Sequence, residues 1–286
     1  SNQNYSNILT HFLLKDLKEF KSILIERNHL DEFNYHDSFK NYLKKIVIKK
    51  LMKLNYRYAS TIIGNTKKLS KDLSIFVNSK VKTIYSPTDS KKIIRLSKLY
   101  LPKDIKKNKL RIRLLSVSRF TKRKDLITLL KAFHIVSLKF PNIDLILIGY
   151  GPELNKIKNF IKDNKLSKKI FVLSPKKNPF PYFLISDLYV MPSLYEGCPN
   201  SIIESIILNI PVISSNCNTG PSEILLNGKG GFIFKKQDIF SLANKIELFM
   251  KNKLIFKKKL KIAKKKIFRF EEKRIINEYK HLLNKI

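Results

Sequence analysis

Two glutamates, Glu196 and Glu204, stand eight residues apart in the stretch Ser186-Asp-Leu-Tyr-Val-Met-Pro-Ser-Leu-Tyr-Glu-Gly-Cys-Pro-Asn-Ser-Ile-Ile-Glu204. An apolar run ends at Pro192 and a loop turns through Glu196 and Gly197. The spacing then predicts a helix from about Asn200 with Glu204 one turn inside it. A helix start leaves backbone N–H groups unpaired and carries the positive end of the dipole, a seat for phosphate or sugar oxygens. The two carboxylates would flank that seat. Upstream, Arg119 follows another apolar run and Lys124 opens the next helical segment, in Arg119-Phe-Thr-Lys-Arg-Lys124-Asp. Two cations beside a helix N-terminus can clamp a diphosphate. Singly, each feature has a plainer reading, a solvated cation or a satisfied glutamate in a surface loop. The combination is what points to chemistry.

These residues need a sheet to hold them. From Arg111 onward, short apolar runs alternate with segments of helical spacing, predicting strands at 112–117, 143–148, 170–173, 188–191, 212–214 and 232–234. Helices are expected at about 125–139, 153–164, 200–208, 221–226 and 238–250. Such alternation implies a doubly wound parallel sheet covered on both faces, whose ligands bind beyond the carboxyl ends of the strands. Seven of the eight glycines lie between 149 and 231, where tight turns should concentrate. Earlier in the chain, strands are expected at 22–26, 61–64 and 81–85, with helices near 8–20, 38–58 and 66–76, and 101–109 reads as a linker.

Composition sets the outer limits. The 286 residues are 43% hydrophobic, as in a packed globular protein, and no apolar run is long enough to span a bilayer. Lys and Arg total 58 against 22 acids, a net charge of +36. That excess suits nucleic acid, an anionic membrane or phosphorylated substrates alike. Lysine spread along nearly every segment is not the Arg and aromatic pattern of a base reader, so no nucleic-acid partner is expected. Cys198 and Cys217 form no metal-binding spacing, in keeping with a reducing, cytoplasmic setting.

The set Arg119-x4-Lys124, Gly149-Tyr-Gly-Pro-Glu153, Ser186-Asp187 with Pro192-Ser193, Glu196-x7-Glu204, Pro211-Val212 and Gly220-Pro-Ser-Glu223 resembles the retaining GT-B glycosyltransferases of family 4. The resemblance runs in order through about 110–250 and more weakly back to 60. It implies an α/β GT-B fold, two Rossmann-like domains facing a cleft. The boundaries are read as 1–103 for an acceptor-side first domain, 104–268 for the nucleotide-sugar domain and 269–286 for a closing helix that returns to the first.

By the same resemblance, Arg119 and Lys124 would hold the diphosphate of a nucleotide sugar and Glu204 the ribose diol. Glu196 and the backbone of Gly197, Cys198, Pro199 and Asn200 would face the transferred sugar. His29, in Glu26-Arg-Asn-His29, could stand beside that sugar, or be an ordinary loop histidine. No Asp-x-Asp occurs, so neither metal nor other cofactor is expected. The implied activity is metal-independent transfer, with retained configuration, from a UDP-sugar to a glycan or lipid-linked acceptor in bacterial surface polysaccharide synthesis. A sugar-nucleotide epimerase or a basic binding module remain alternatives. The first domain shows three strands against six, so it is expected to be incomplete by ~80–100 residues.

Two basic segments remain. One carries Leu43, Val47, Leu51, Leu54 and Tyr58 at helical spacing among lysines, and the other has nine lysines between Lys251 and Lys266. Each is either a solvated helix face over core or a surface for an anionic membrane.

Overall fold

The computed structural model describes residues 3–14, 21–35, 38–100, 102, 105, 110–217 and 219–286. Two parallel sheets form. The first has the order β1-β2-β3, from β1 (Ile23–Glu26), β2 (Thr61–Gly64) and β3 (Val81–Thr83). The second has the order β6-β5-β4-β7-β8-β9, from β4 (Ile112–Val117), β5 (Ile143–Ile148), β6 (Ile170–Leu173), β7 (Leu188–Met191), β8 (Val212–Ser215) and β9 (Phe232–Phe234).

The helices are α1 (Gln3–Leu14), α2 (Phe39–Asn55), α3 (Lys67–Val77), α4 (Ser90–Ser97), α5 (Leu126–Lys139) and α6 (Leu154–Asp163). They continue with α7 (Phe180–Leu184), α8 (Asn200–Ile207), α9 (Gly220–Ile224), α10 (Ile239–Lys251), α11 (Lys253–Lys264) and α12 (Glu272–Leu283). Several begin where a short polar side chain accepts from the first turn: Ser38, Thr66, Asp89 and Asp238 cap α2, α3, α4 and α10.

The strand residues of the second sheet alternate between two cores, as the period of a strand requires. Leu114, Leu145, Leu147 and Val190 pack with α5 and α10, and Leu115, Ile146, Ile148 and Met191 with α8 on the opposite face. Strand order reverses between β4 and β7, which leaves a crevice beyond their carboxyl ends.

The structure corrects several expectations. Helix α1 is already helical at Gln3, ahead of the expected start near 8, and residues 15–20 of the expected helix lie outside the described residues, as does most of the 101–109 linker. Strand β3 stops at Thr83, after which the Ile84 N–H bonds to the Gly64 carbonyl. The sequence reading divides the domains at 103/104, yet α4 packs on α7 and α8, and Ile93 and Ile105 belong to the core of the second sheet. The chain therefore crosses over near Thr88. In α2 the core-facing residues are Ile48 and Met52, while Leu43, Val47, Leu51 and Leu54 are exposed, as is Tyr58 beyond the helix end. In α11 the apolar stripe of Phe256, Leu260 and Ala263 is core, and its lysines are a solvated face. Helix α12 sets Ile275 and Leu282 against Ile63 and Ile84 of the first domain.

Candidate active site

The β4–α5 loop carries Arg119 and Lys124, the β7–α8 loop carries Glu196, and these two loops flank the crevice where strand order reverses. The first loop is braced by backbone bonds from Phe120 N to Tyr150 O (2.9 Å) and Glu153 N to Phe120 O (3.0 Å). Gly149 (φ +155°) permits this, since a Cβ there would collide with the Ser118 carbonyl. Asp125 is left-handed at φ 46°. Its carboxylate accepts from Thr128 Oγ1 at 2.8 Å, a local bond that helps an aspartate hold that conformation. The second loop is tied to the first by Leu194 N to Arg123 O (2.8 Å).

Lys124 and Glu196 form an ion pair across the crevice. Burial alone would raise the Glu196 carboxyl, but Lys124 and Arg123 beside it reverse the sign and hold it below the usual carboxylate range. Thr219 Oγ1 donates to the Glu196 carbonyl, fixing the loop from below. Glu204, one turn into α8, has a different environment: burial pushes its carboxyl up to about 7. Arg119 is exposed at the loop edge. The Ser118 hydroxyl and the Asn65 side-chain oxygen are buried without a protein partner.

The first domain closes the other side. Gly197 lies against the Arg27 carbonyl, which also accepts from Asn65 Nδ2 at 3.3 Å, so a Cβ at 197 would force the domains apart. Tyr35 stacks on Tyr195 with ring centroids 5.0 Å apart, and the Arg123 guanidinium lies 5.4 Å from the Tyr195 ring. Glu223 reaches across from α9 to accept from Lys67 N at the start of α3 (3.0 and 3.2 Å) and from the Tyr85 hydroxyl.

His29 is neither a solvated loop residue nor turned toward this group. Its ring is buried, with Nε2 2.9 Å from an Asp72 carboxylate oxygen of α3 and Nδ1 accepting from Asp31 N at 3.1 Å. The structure thus gathers Lys124, Glu196, Gly197 and the start of α8. Tyr195, Arg123 and Glu223 lie within the quoted motifs, but their interdomain contacts, and Tyr35 altogether, had no sequence signal. Among the described residues, no three His, Cys, Asp or Glu side chains cluster as a metal site would.

Residues 97–267, more than half of the chain, match the family described as glycosyl transferases group 1. The chain belongs to that family. It is 35% identical over 222 residues to an uncharacterised glycosyltransferase of Methanocaldococcus jannaschii, covering 76% of this chain and 53% of that protein. It is also 35% identical over 106 residues to the UDP-Gal:alpha-D-GlcNAc-diphosphoundecaprenol alpha-1,3-galactosyltransferase of Escherichia coli, covering 36% of this chain and 27% of that one. The crystal structure of Anabaena HepE in complex with UDP-glucose superposes with a TM-score of 0.81 at 19% identity, over 99% of this chain and 77% of that one. The chain thus has the GT-B fold, and it spans about half the length, or less, of the curated relatives it matches.

In this group 1 glycosyltransferase chain, Glu223 should act as the bolt between the domains. Glu223→Ala leaves the α3 N-terminus and the Tyr85 hydroxyl unmatched, with an expected cost of about 1–3 kcal/mol. Calorimetry should show the two domains unfolding less cooperatively, and Glu223→Gln, which still accepts, should recover part of the loss. An unchanged melting profile for Glu223→Ala would remove that role.

Proposed function

We propose that the chain forms the donor site of a retaining, metal-independent glycosyltransferase of family 4, which moves a sugar from a UDP-sugar to a glycan or lipid-linked acceptor of a bacterial surface polysaccharide. The observation that carries this reading is the convergence of Lys124, Glu196 and the α8 N-terminus at the strand-order reversal, with Arg119 on the loop edge. The name of the Escherichia coli relative, a UDP-Gal-dependent enzyme, and the UDP-glucose in Anabaena HepE support the donor class.

In this reading Arg119 and Lys124 hold the diphosphate. When the bond from the anomeric carbon to the diphosphate oxygen breaks, its electrons pass to the leaving group, and fixed cations and N–H dipoles stabilise that charge without reorganising. The acceptor oxygen takes the freed position on the anomeric carbon, and its proton passes to an oxygen of the departing diphosphate. Glu196 and the backbone of Gly197 to Asn200 position the sugar, and Glu204 accepts from both ribose hydroxyls. His29 contributes indirectly at most, by ordering the β1 loop beside Gly197.

Calorimetric titration with UDP tests the reading. Saturable binding that persists at physiological salt and in EDTA is expected, whereas DNA binding should fade with salt as counterions compete. Absence of UDP binding, or binding that needs a divalent ion, would sink the donor assignment or its metal independence respectively.

A further inference from the structure

Asn65 directly follows β2, at the carboxyl edge of the first sheet, and is only 4% exposed. Its backbone is fixed: the Asn65 N–H bonds to the Glu26 carbonyl at 3.2 Å, and Thr66 beside it caps α3. Its side chain is fixed as well. Nδ2 donates to the Arg27 carbonyl at 3.3 Å, and exchanging the two ends of the amide would set one oxygen against another. That orientation aims Oδ1 at Gly197, 3.2 Å from where a Cβ on that glycine would stand. Oδ1 is buried and accepts no hydrogen bond from the protein. The buried hydroxyls of Ser118 and Ser193 share that state, but a hydroxyl can rotate its hydrogen toward a nearby carbonyl. An amide oxygen held from its other end cannot turn away, and a buried acceptor without a donor is costly.

We infer, resting on the transferase reading, that Asn65 Oδ1 accepts a hydrogen bond from one hydroxyl of the sugar being transferred, gripping it from the first-domain side of the cleft. Position and chemistry agree. In that reading the backbone of Gly197 to Asn200 positions the sugar, and Gly197 is where the second domain meets Arg27 and Asn65. Oδ1 has lone pairs and no hydrogen, so its partner must donate. Phosphate oxygens only accept and belong with Arg119 and Lys124, which leaves the hydroxyls of the sugar itself.

The contact lies in the seam between the domains, so a hydroxyl reaches Oδ1 only when the domains part and then close around it. Closure over a nucleotide sugar pairs Oδ1, whereas closure over the spent nucleoside diphosphate leaves it orphaned. Asn65 therefore biases the closed form toward the intact donor and favours reopening after transfer.

Titration of wild type and Asn65→Ala with UDP, UDP-glucose, UDP-galactose and UDP-N-acetylglucosamine tests this. The Kd for UDP should change less than twofold. For the sugar nucleotide that wild type binds most tightly, Asn65→Ala should lose about tenfold, the effect of one hydrogen bond. Deoxyfluoro forms of that donor locate the partner, because fluorine in place of a hydroxyl cannot donate. Fluorine at one ring position should cost wild type about tenfold and cost Asn65→Ala nothing further. Asn65→Asp keeps an acceptor at that place and should keep the sensitivity, which guards against misfolding of the alanine variant.

Equal losses for UDP and the sugar nucleotide would overturn the inference by making Asn65 a structural residue. Unchanged sugar-nucleotide affinity in Asn65→Ala would overturn it too, since a buried water would then satisfy Oδ1. Donor affinity intact but transfer to the acceptor impaired would assign Oδ1 to the acceptor instead. Failure of the wild-type chain to bind UDP would fell the donor reading and this inference with it, whereas UDP binding alongside any of the other results fells the inference alone.

Discussion

Lys124→Ala and Arg119→Ala are each expected to lower sugar transfer on the order of 10²-fold or more, the effect of losing one fixed stabiliser of a developing oxyanion charge. Their effects on folding should differ. Arg119 is exposed and its removal leaves no buried group behind. Lys124 is the partner of Glu196, a buried carboxylate that it helps to keep ionised. Without Lys124 that charge still has Arg123 beside it, and breaking a buried pair on one side costs roughly 3 kcal/mol. The pair's contribution is present above the ordinary carboxylate pKa and is lost as pH falls through the depressed value. The stability deficit of Lys124→Ala should therefore close on acidification. Adding Glu196→Gln to Lys124→Ala should restore the melting temperature at neutral pH and leave transfer abolished. Product analysis by mass spectrometry and thermal melts of the three variants check both halves. Wild-type turnover in either single variant would refute the clamp.

The contrast between Arg119 and Lys124 marks how far the sequence could be read. Strands β4, β5, β6, β7 and β9 match the predicted bounds residue for residue, because strands covered on both faces are mostly apolar. The site followed from them, since a parallel sheet presents the residues after its strands along one edge. Helix α2 was ambiguous for a physical reason: it has two apolar stripes, and nothing local says which one the first domain covers. Helix α4 was illegible because Ser90–Ser97 is short and buries only Ile93 and Ser97, while Ile94 lies exposed. Contacts such as Tyr35 with Tyr195 or Lys67 with Glu223 join residues about 160 positions apart. No spacing rule reaches that far. The Lys124–Glu196 pair was hidden in another way, since both side chains carry motif positions that face a ligand equally well.

Glu204→Gln is expected to improve the fold and impair the site at once. Burial raises the Glu204 carboxyl from 4.5 to about 7, so in the ligand-free chain its ionised form is a liability. With a folded pKa above the unfolded one, the folded state binds the extra proton between these values. Stability is therefore full below about pH 4.5 and falls as pH rises through about 7. The loss from this one group is at most on the order of 3 kcal/mol. Glutamine has no charge to desolvate, so the variant should melt higher than wild type at pH 8 and equal to it at pH 4.5. Binding runs the other way. Two ribose hydroxyls donate to an ionised carboxylate more strongly than to an amide, which offers one acceptor and turns an N–H toward the second hydroxyl. Affinity for UDP should fall about tenfold to a hundredfold at pH 8. In the wild type it should rise as Glu204 ionises through about pH 7, a slope that Gln removes while the phosphate's own titration remains in both proteins. Equal UDP affinity in the two proteins at pH 8, or a lower melting temperature for Glu204→Gln there, would show that this carboxyl is not held in reserve for the ribose.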